Sequence, residues 1–302
     1  MSDDAVMTMS DVRRAGALIE TVHAVVYFAP EAAEAYRALG LKGYWMGYFA
    51  SRSAALGAAD AALVTELFGG FAPAKVARAI PDAWSYAGPE AVTGARSDAA
   101  SAALARLVGQ PDLGALGPLL SRLVADLDCA RRPLARAHRE VLRTQPAGTQ
   151  LGRVWQACTV LREHRGDGHL QAVAEAGLVW PEPHLLLAAS GRLDPRQQQH
   201  RGWDDEAWER SRARVAREDA PGYAALEART DELAAEALPP ADLDPLIRGL
   251  EPLAAAILDG EAIPFPNAMG LADPRPEAAR APHPAGEETP AAADAGGRPC
   301  CG

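Results

Sequence analysis

The polar and apolar positions of the chain follow a helical period that is interrupted by Gly and Pro. Residues 11–28 place apolar side chains at steps of three and four, the spacing of one helical face: Leu18, Ile19, Val22, Val25 and Val26. Gly40 and Gly57 are typical C-terminal caps and end the next two predicted helices, 31–39 and 43–56. The first part of the chain is therefore predicted to be a run of helices.

The same period predicts helices along the rest of the chain, with a loop over residues 84–94. They span 60–68, 73–80, 97–108, 113–143 with a break at Pro133, 149–165, 169–176, 204–218, 223–238 and 243–258. Ser97 is expected to cap the helix over 97–108. Gly166 and Gly168 are expected to end one helix, so that Asp167 caps the next. Residues 181–189 fit a short helix or a short strand. Because strongly β-forming stretches are scarce, the predicted fold class is all-α.

These segments predict two packed helical halves followed by a tail. The N-terminal half covers residues 1–95, and the C-terminal half covers 96–271 and contains the densest polar cluster. Residues 272–302 are rich in Ala, Pro, Gly and Glu and have no apolar periodicity. Such a segment cannot offset its ordering entropy by burial, so we predict a disordered tail.

Composition and charge narrow the class of protein. Of the 302 residues, 48% are hydrophobic and 23% are charged, which is typical of a folded globular protein and excludes a fibrous repeat. The net charge of −10 disfavours diffuse binding to nucleic acid or anionic membranes but is compatible with a local basic patch. The chain opens without a signal-like segment and has no apolar run of membrane-spanning length, so we expect a cytoplasmic protein.

The four cysteines form no recognisable metal motif. Cys129, Cys158, Cys300 and Cys301 show no CxxC spacing and no histidine at zinc-ligand intervals, which argues against a structural zinc module. We expect free thiols, and the pair at 300 and 301 has no assigned role.

The strongest candidate site is the run Arg-Glu-His-Arg-Gly-Asp-Gly-His over residues 162–169. Its candidate catalytic residues are His164, His169, Glu163 and Asp167, because a histidine oriented by a carboxylate can move a proton near neutral pH. A divalent metal bound by the two histidines and Asp167 is a second hypothesis, although their spacing matches no standard metal motif. A purely structural role, with Asp167 as a helix cap and the other charges paired, is the third.

Candidate ligand-binding residues lie on two predicted helices. Tyr44, Tyr48 and Arg52 recur every four residues, a face that either lines an aromatic pocket or packs against another helix. Trp155 and Arg162 share a second face and are expected to point into the same cleft. Arg162 and Arg165 are suited to holding a carboxylate or a phosphate. The candidate ligand-binding set is Arg162, Arg165, Tyr48, Arg52 and Trp155.

A basic stripe offers a different function. Arg132, Arg136, Arg139 and Arg143 are spaced four, three and four residues apart, which places them on one helical face. Phosphate contacts from this face would make DNA binding salt-dependent, whereas a solvated face paired with acidic neighbours is the alternative. The chain has no Gly-rich phosphate loop, GxSxG motif or dinucleotide fingerprint.

Several segments together resemble one protein family: Phe28-Ala-Pro-Glu31, the ten residues from Gly43 to Arg52, the fifteen residues from Trp155 to His169, Arg201-Gly-Trp203, Thr230-Asp231 and Pro266-Asn267. The family is an actinobacterial group of helix-turn-helix-related proteins with a MarR-like winged-helix relationship. The resemblance implies that the helical halves are diverged winged-helix units with at most short β-ribbons. In that family a longer, wing-like segment stands where this chain has residues 215–227.

Two functional hypotheses follow. In the first, the protein binds a small, anionic ligand in a cleft with Arg162, His164, Asp167 and His169 on one wall and Tyr48 and Arg52 opposite, and histidine or metal chemistry is open. In the second, implied by the resemblance, it is a DNA-binding transcriptional regulator that contacts DNA through the basic stripe. We expect no membrane partner, and the sequence leaves a homo-oligomer open.

Overall fold

The computed structural model describes residues 9–189, 196–216, 222–265, 267, 271, 274 and 275. These residues form fourteen α-helices and no strand, which confirms the predicted all-α fold class. The helices are α1 Met9–Phe28, α2 Pro30–Ala38, α3 Gly43–Ser53, α4 Ala61–Phe68, α5 Pro73–Ala77, α6 Pro89–Val108, α7 Leu116–Asp126, α8 Pro133–Thr144, α9 Gln150–Glu175, α10 Glu182–Ala189, α11 Gln197–Arg201, α12 Asp205–Val215, α13 Tyr223–Ala235 and α14 Pro240–Asp259.

The long helix α9 organises the packing. It lies against α1, α6, α7, α8 and α13, and α1 packs in addition on α14. Most buried apolar side chains of these helices belong to one continuous core. A smaller apolar cluster joins the end of α9 to α10 and α13 through Ala172, Val173, Leu178, Leu186, Leu226 and Leu233. The second half of α9 therefore lies between two apolar clusters.

The prediction that α9 ends at Gly166 is wrong, because the helix continues through Gly166 and Gly168 to Glu175. Glycine inside a helix costs about 0.5–1 kcal/mol relative to alanine, so packing must offset this cost. A Cβ atom at position 168 would lie 3.3 Å from the Cβ atom of Leu233, so glycine lets α13 approach closely. Tertiary packing thus overrides the local signal for a helix end.

Asp167 caps a helix, but not the one that the sequence predicts. Its Oδ2 atom accepts hydrogen bonds from the backbone N–H groups of Leu134 and Ala135, at 3.0 and 3.1 Å. These groups belong to the first turn of α8, which begins with Pro133. The carboxyl group therefore ties the N-terminus of α8 to α9.

The loop predicted over residues 84–94 is also shorter in the structure. Helix α6 begins at Pro89, and Ser97 lies inside it rather than capping it. Proline at the first helical position provides the start signal that Ser97 was expected to give. The same helix runs through residues 95 and 96, the predicted boundary between the two halves, and the two-half organisation stays a prediction.

The predicted tail, including Cys300 and Cys301, lies outside the described residues apart from positions 274 and 275. Part of the wing-like segment, residues 217–221, also lies outside them. Residues 182–189, left open between helix and strand, are helical. Within the described residues, no helix combines the length and the apolar character needed to cross a membrane.

Candidate functional site

A cavity of about 490 Å³ opens between α1, α3, the second half of α9, α10, α11 and α13. Its lining combines cationic and apolar side chains. The arginines come from four helices: Arg13, Arg52, Arg162, Arg165 and Arg201. The apolar part is provided by Leu67, Phe68, Leu170, Trp180, Pro183 and Leu187. Charged and apolar side chains lie next to each other in this lining, since the Arg52 guanidinium is 4.1 Å from the ring centre of Phe68.

The continuity of α9 determines which residues of the 162–169 run reach this cavity. Arg162, Arg165 and His169 lie three and four residues apart, so they share one helical face, and all three line the cavity. Tyr48 and Arg52 line it from α3. Five residues of the predicted cleft are therefore brought together by the fold.

A buried ion-pair network forms the base of the cavity. The Nε and Nη2 atoms of Arg52 donate to the two carboxylate oxygens of Glu163, at 3.0 and 2.8 Å. Arg162 donates to Glu163 at 2.9 Å and to Glu20 at 3.0 Å. Burial alone would raise the pKa of Glu163, but Arg52 and Arg162 hold it well below its usual range. Glu163 is therefore an ionised anchor for two arginines and does not contact a histidine.

A second group of ion pairs lies at the cavity rim. Arg165 donates through Nη2 to Asp231 at 3.1 Å and to Glu227 at 3.2 Å. Arg13 donates through Nε to the other oxygen of Asp231, at 2.8 Å. The Arg165 side chain keeps 30% of its surface exposed, so it remains accessible from the cavity. These pairs hold the guanidinium groups in position on α1 and α9.

Two histidines of the cavity wall are neutral at pH 7. The Nδ1 atom of His169 lies 3.0 Å from the hydroxyl of Thr230 and 4.0 Å from Glu227, and desolvation lowers the pKa of His169 to about 4. The Nε2 atom of His184 lies 3.2 Å from the carbonyl oxygen of Gly70, and desolvation lowers its pKa well below 6.5. The wall charge at neutral pH therefore comes from arginines and carboxylates.

Three predicted site residues lie away from the cavity. His164 and Asp167 face α8 from the opposite side of α9, and burial lowers the pKa of His164 to about 4 and raises that of Asp167 to about 7. Trp155 is buried, donates to the carbonyl oxygen of His23 at 3.1 Å and stacks on its ring. The expectation that Trp155 and Arg162 share one cleft is wrong, because Trp155 is enclosed among α1, α6 and α9.

The predicted orientation of a histidine by Glu163 or Asp167 is also wrong. Glu163 binds arginines, and Asp167 binds the backbone of α8. His164 and His169 are five residues apart on a continuous helix, a rotation of about 140°. Among the described residues, no three His, Cys, Asp or Glu side chains are close enough together to hold a metal ion. The metal hypothesis thus loses the loop geometry on which it depended.

The basic stripe on α8 is only partly available to a partner. Arg132 is buried and donates to Gln171 at 2.8 Å and to Glu236 at 3.2 Å. Arg139 donates to the carbonyl oxygen of Leu127 at 2.5 Å. Arg143 is exposed and pairs with Glu140, and Arg136 is exposed. Two of the four arginines thus stabilise the fold around α8, and two lie at the surface.

Several cavity residues were missed by sequence reasoning. They are Arg13, Trp180, His184, Arg201 and Glu227. A signal was available for Arg201 in the segment Arg201-Gly-Trp203. Its guanidinium lies 4.2 Å from the ring centre of Phe71, and desolvation lowers its pKa to about 10. On α1, the small residues Gly16 and Ala17 lie between the charged cavity residues Arg13 and Glu20. This pattern was a signal in the sequence for a cavity-facing side of the helix.

Comparisons with known proteins identify the family of the chain. A family model described as "Helix-turn-helix family" matches residues 12–264, so the chain belongs to this family. The match covers all fourteen helices except the first three residues of α1. Searches of curated proteins and of solved structures found no match.

Proposed function

We propose that this member of the helix-turn-helix family binds a small organic anion in the cavity between α1, α3, α9 and α13. The observation that carries the proposal is the convergence of arginines from four helices on one cavity that is also lined by apolar side chains. This combination suits a molecule with a carboxylate or phosphate group at one end and a hydrophobic body at the other.

The ion pairs of the cavity are compatible with ligand binding. An arginine has five N–H donors, and both ion pairs of Arg165 engage the same atom, Nη2. Its other donors can therefore hold an anion without breaking the pairs with Glu227 and Asp231. The network then acts as a support that fixes each guanidinium before the ligand arrives, which reduces the entropic cost of binding.

The apolar residues of the cavity determine the second feature of the expected ligand, a hydrophobic body. Leu67 and Phe68 come from α4, Leu187 comes from α10, and Trp180 lies shortly before α10. A simple inorganic anion leaves these surfaces wet, whereas a ligand with an aromatic or alkyl body buries them. We therefore expect benzoate or phenyl phosphate to bind more tightly than inorganic phosphate.

Isothermal titration calorimetry with benzoate, phenyl phosphate and the neutral analogue benzamide tests this function. Arg165→Gln should weaken binding of the two anions at least tenfold, because a charge-assisted hydrogen bond is lost. Arg136→Gln on α8 is the matched control and should leave binding unchanged. Equal binding of benzamide and benzoate, or unchanged affinity in Arg165→Gln, contradicts the proposal.

Membership of the helix-turn-helix family favours a second function, DNA binding by a transcriptional regulator. Within the described residues, α7 and α8 are consecutive helices joined by residues 127–132, and Arg136 and Arg143 are exposed on α8. These two arginines are the candidate phosphate contacts. The cavity would then hold the effector of the regulator.

Fluorescence anisotropy with DNA from upstream of the protein's own gene tests the second function. Binding should weaken steeply between 50 and 200 mM salt, by the order of 10³ if several phosphates are contacted. Exchange of Arg136 and Arg143 for Gln should reduce affinity further, while Arg165→Gln should leave DNA affinity unchanged in the absence of ligand. No binding even at low salt contradicts the regulator and leaves the anion-binding proposal intact.

A further inference from the structure

A second, small space lies between α3, α6, α8 and α9. Its volume is about 10 Å³, the size of a single water molecule or a monatomic ion. The lining includes Arg96 and Ser97 of α6, His138 of α8, and Trp155 and Thr159 of α9. The larger cavity shares none of these residues.

Arg96 is the unusual group of this space. It is 2% exposed, and none of its three guanidinium nitrogens makes a hydrogen bond of ordinary geometry to a described residue. The buried Tyr36 hydroxyl is a neighbouring acceptor, because Arg96 counteracts part of the rise in the Tyr36 pKa that burial causes. One hydroxyl cannot accept from all five N–H groups of a guanidinium. The Nε2 atom of His138 on the opposite wall is buried and also has no partner. A buried charge without a partner is costly, since the water it has lost is not replaced. An acceptor in the space would replace that water.

Aromatic rings compensate the Arg96 charge only in part. The Cζ atom lies 5.2 Å from the ring centre of Trp155 and 5.9 Å from that of Tyr27. Both rings attract a cation through their π faces. However, a ring face does not accept the several in-plane N–H bonds that a guanidinium offers. The N–H groups of Arg96 therefore still require an acceptor.

Size and charge determine which acceptor fits. A carboxylate, phosphate or sulfate group has three or more heavy atoms and exceeds the available volume. Among the described lining residues there is a guanidinium and no carboxylate, so the local charge is positive. His138 adds no positive charge, because burial and Arg96 lower its pKa to about 3 and the ring is neutral at pH 7. A small anion would balance Arg96, which a water molecule cannot.

We propose that this space is a binding site for a single halide ion, in the cell chloride, held by the N–H groups of Arg96. Its role is structural, because the ion would lie at the junction of four helices. Two of them, α8 and α9, also carry the candidate DNA-binding and ligand-binding surfaces. The proposal does not depend on the function of the larger cavity.

Thermal unfolding of the full chain in sodium chloride and sodium gluconate at equal ionic strength tests the site. Chloride should raise the melting temperature in a saturable way, by about 2 °C or more at ten times its dissociation constant. Bromide should act similarly, whereas acetate and sulfate should not show the saturable step. Equal melting temperatures in chloride and gluconate would overturn the proposal.

Variants separate the site from general salt effects. Arg96→Met keeps a similar side-chain volume and removes the charge, so it should abolish the difference between chloride and gluconate. Arg106→Met on the same helix removes an exposed arginine that pairs with Glu31 and should retain the full difference. Arg165→Gln should retain it as well, because Arg165 belongs to the larger cavity. A chloride response that persists in Arg96→Met would contradict the assignment.

A second measurement does not depend on a folded Arg96 variant. Crystals of the unmodified protein grown in bromide should show one anomalous peak within hydrogen-bond distance of the Arg96 guanidinium. The same peak should be absent from crystals grown in gluconate. A peak only elsewhere, or an ordered water at Arg96 in bromide crystals, would overturn the halide site.

Discussion

The two faces of α9 over residues 162–169 differ although they come from one polar run. On one face, Arg162, Arg165 and His169 line a large cavity. On the opposite face, His164 and Asp167 are buried against α8, where Asp167 binds two backbone N–H groups. The first face is open to a ligand and the second stabilises the fold. Helical phase, and not proximity in sequence, decides which residues can act together.

Glu163 lies between these faces and makes them interdependent. Its carboxylate accepts hydrogen bonds from two nitrogens of Arg52 on α3 and from one nitrogen of Arg162. The Glu163 side chain is fully buried. The ion pairs of Glu163 thus position two arginines that line the cavity and also fill the protein interior behind it. Changes at the two faces therefore test whether the cavity depends on the packing behind it.

The largest expected effect comes from removing the carboxylate between the two faces. Glu163→Gln leaves Arg52 and Arg162 without their shared buried counter-ion, so we expect a loss of about 3–5 kcal/mol in the free energy of unfolding. Urea unfolding followed by circular dichroism measures this loss. Glu175→Gln, at the exposed end of α9, is the matched control. If both variants lose the same small amount, the buried network does not hold the two faces together.

The next effect is a pH dependence on the closed face. Burial raises the pKa of Asp167 to about 7, whereas an aspartate in an unfolded chain titrates near pH 4. Between these values the folded protein binds the proton more tightly, so this contribution to stability is complete below about pH 4. It is lost as the pH rises through 7.

Asp167→Asn isolates this contribution, because asparagine keeps a capping oxygen for α8 but does not titrate. Relative to the variant, the unmodified protein should lose about 2–3 kcal/mol of unfolding free energy between pH 5 and pH 8. Urea unfolding of both proteins across this range gives the difference. His169, on the open face, should not contribute, since its lowered pKa leaves it neutral throughout. A constant difference between the two proteins would show that Asp167 is ionised at pH 5.

The sequence was sufficient for the all-α class and for most helices, because their apolar periods and Pro or Gly boundaries are local signals. It was also sufficient to single out Arg162, Arg165, Tyr48 and Arg52, which the fold brings to one cavity. It was misleading at Gly166 and Gly168, since their local preference for a helix end is overridden by the packing of α13 on α9. Because of this one error, the sequence analysis placed His164 and Asp167 in the cleft, whereas both lie on the opposite face of α9.

Other features were beyond the sequence because they depend on distant partners. Arg13, His184 and Arg201 reach the cavity from three different helices, and nothing in their own neighbourhoods indicates that they meet. Likewise, the burial of Arg132 follows from Gln171 and Glu236, which are far away in the chain. Spacing predicts a shared helical face, but it cannot predict which face is covered.

A smaller effect is expected on the wall opposite α9. Gly70 has φ +69°, and a Cβ atom there would lie 2.4 Å from the Nε2 atom of His184. Gly177 has φ +67° with open space around it, so it is the matched control for the backbone strain alone. Gly177→Ala should cost about 1 kcal/mol of unfolding free energy and Gly70→Ala about 2 kcal/mol. Equal losses of unfolding free energy in the two variants would show that the His184 side chain can move away from the added methyl group at little cost.

The smallest effect should come from the exposed end of α9, beyond both faces. Arg229 of α13 donates to Glu175 at 2.8 Å and to Glu232 at 2.9 Å, with all three side chains largely solvated. Solvent screens such pairs, so Arg229→Gln should lower the unfolding free energy only slightly, and 1 M salt should remove the difference. The pair Arg52–Glu163 also joins a guanidinium to a carboxylate, but both side chains are buried. A loss in Arg229→Gln as large as in Glu163→Gln would mean that the contribution of these ion pairs does not depend on burial, and the distinction between the buried and the solvated parts of α9 would fail.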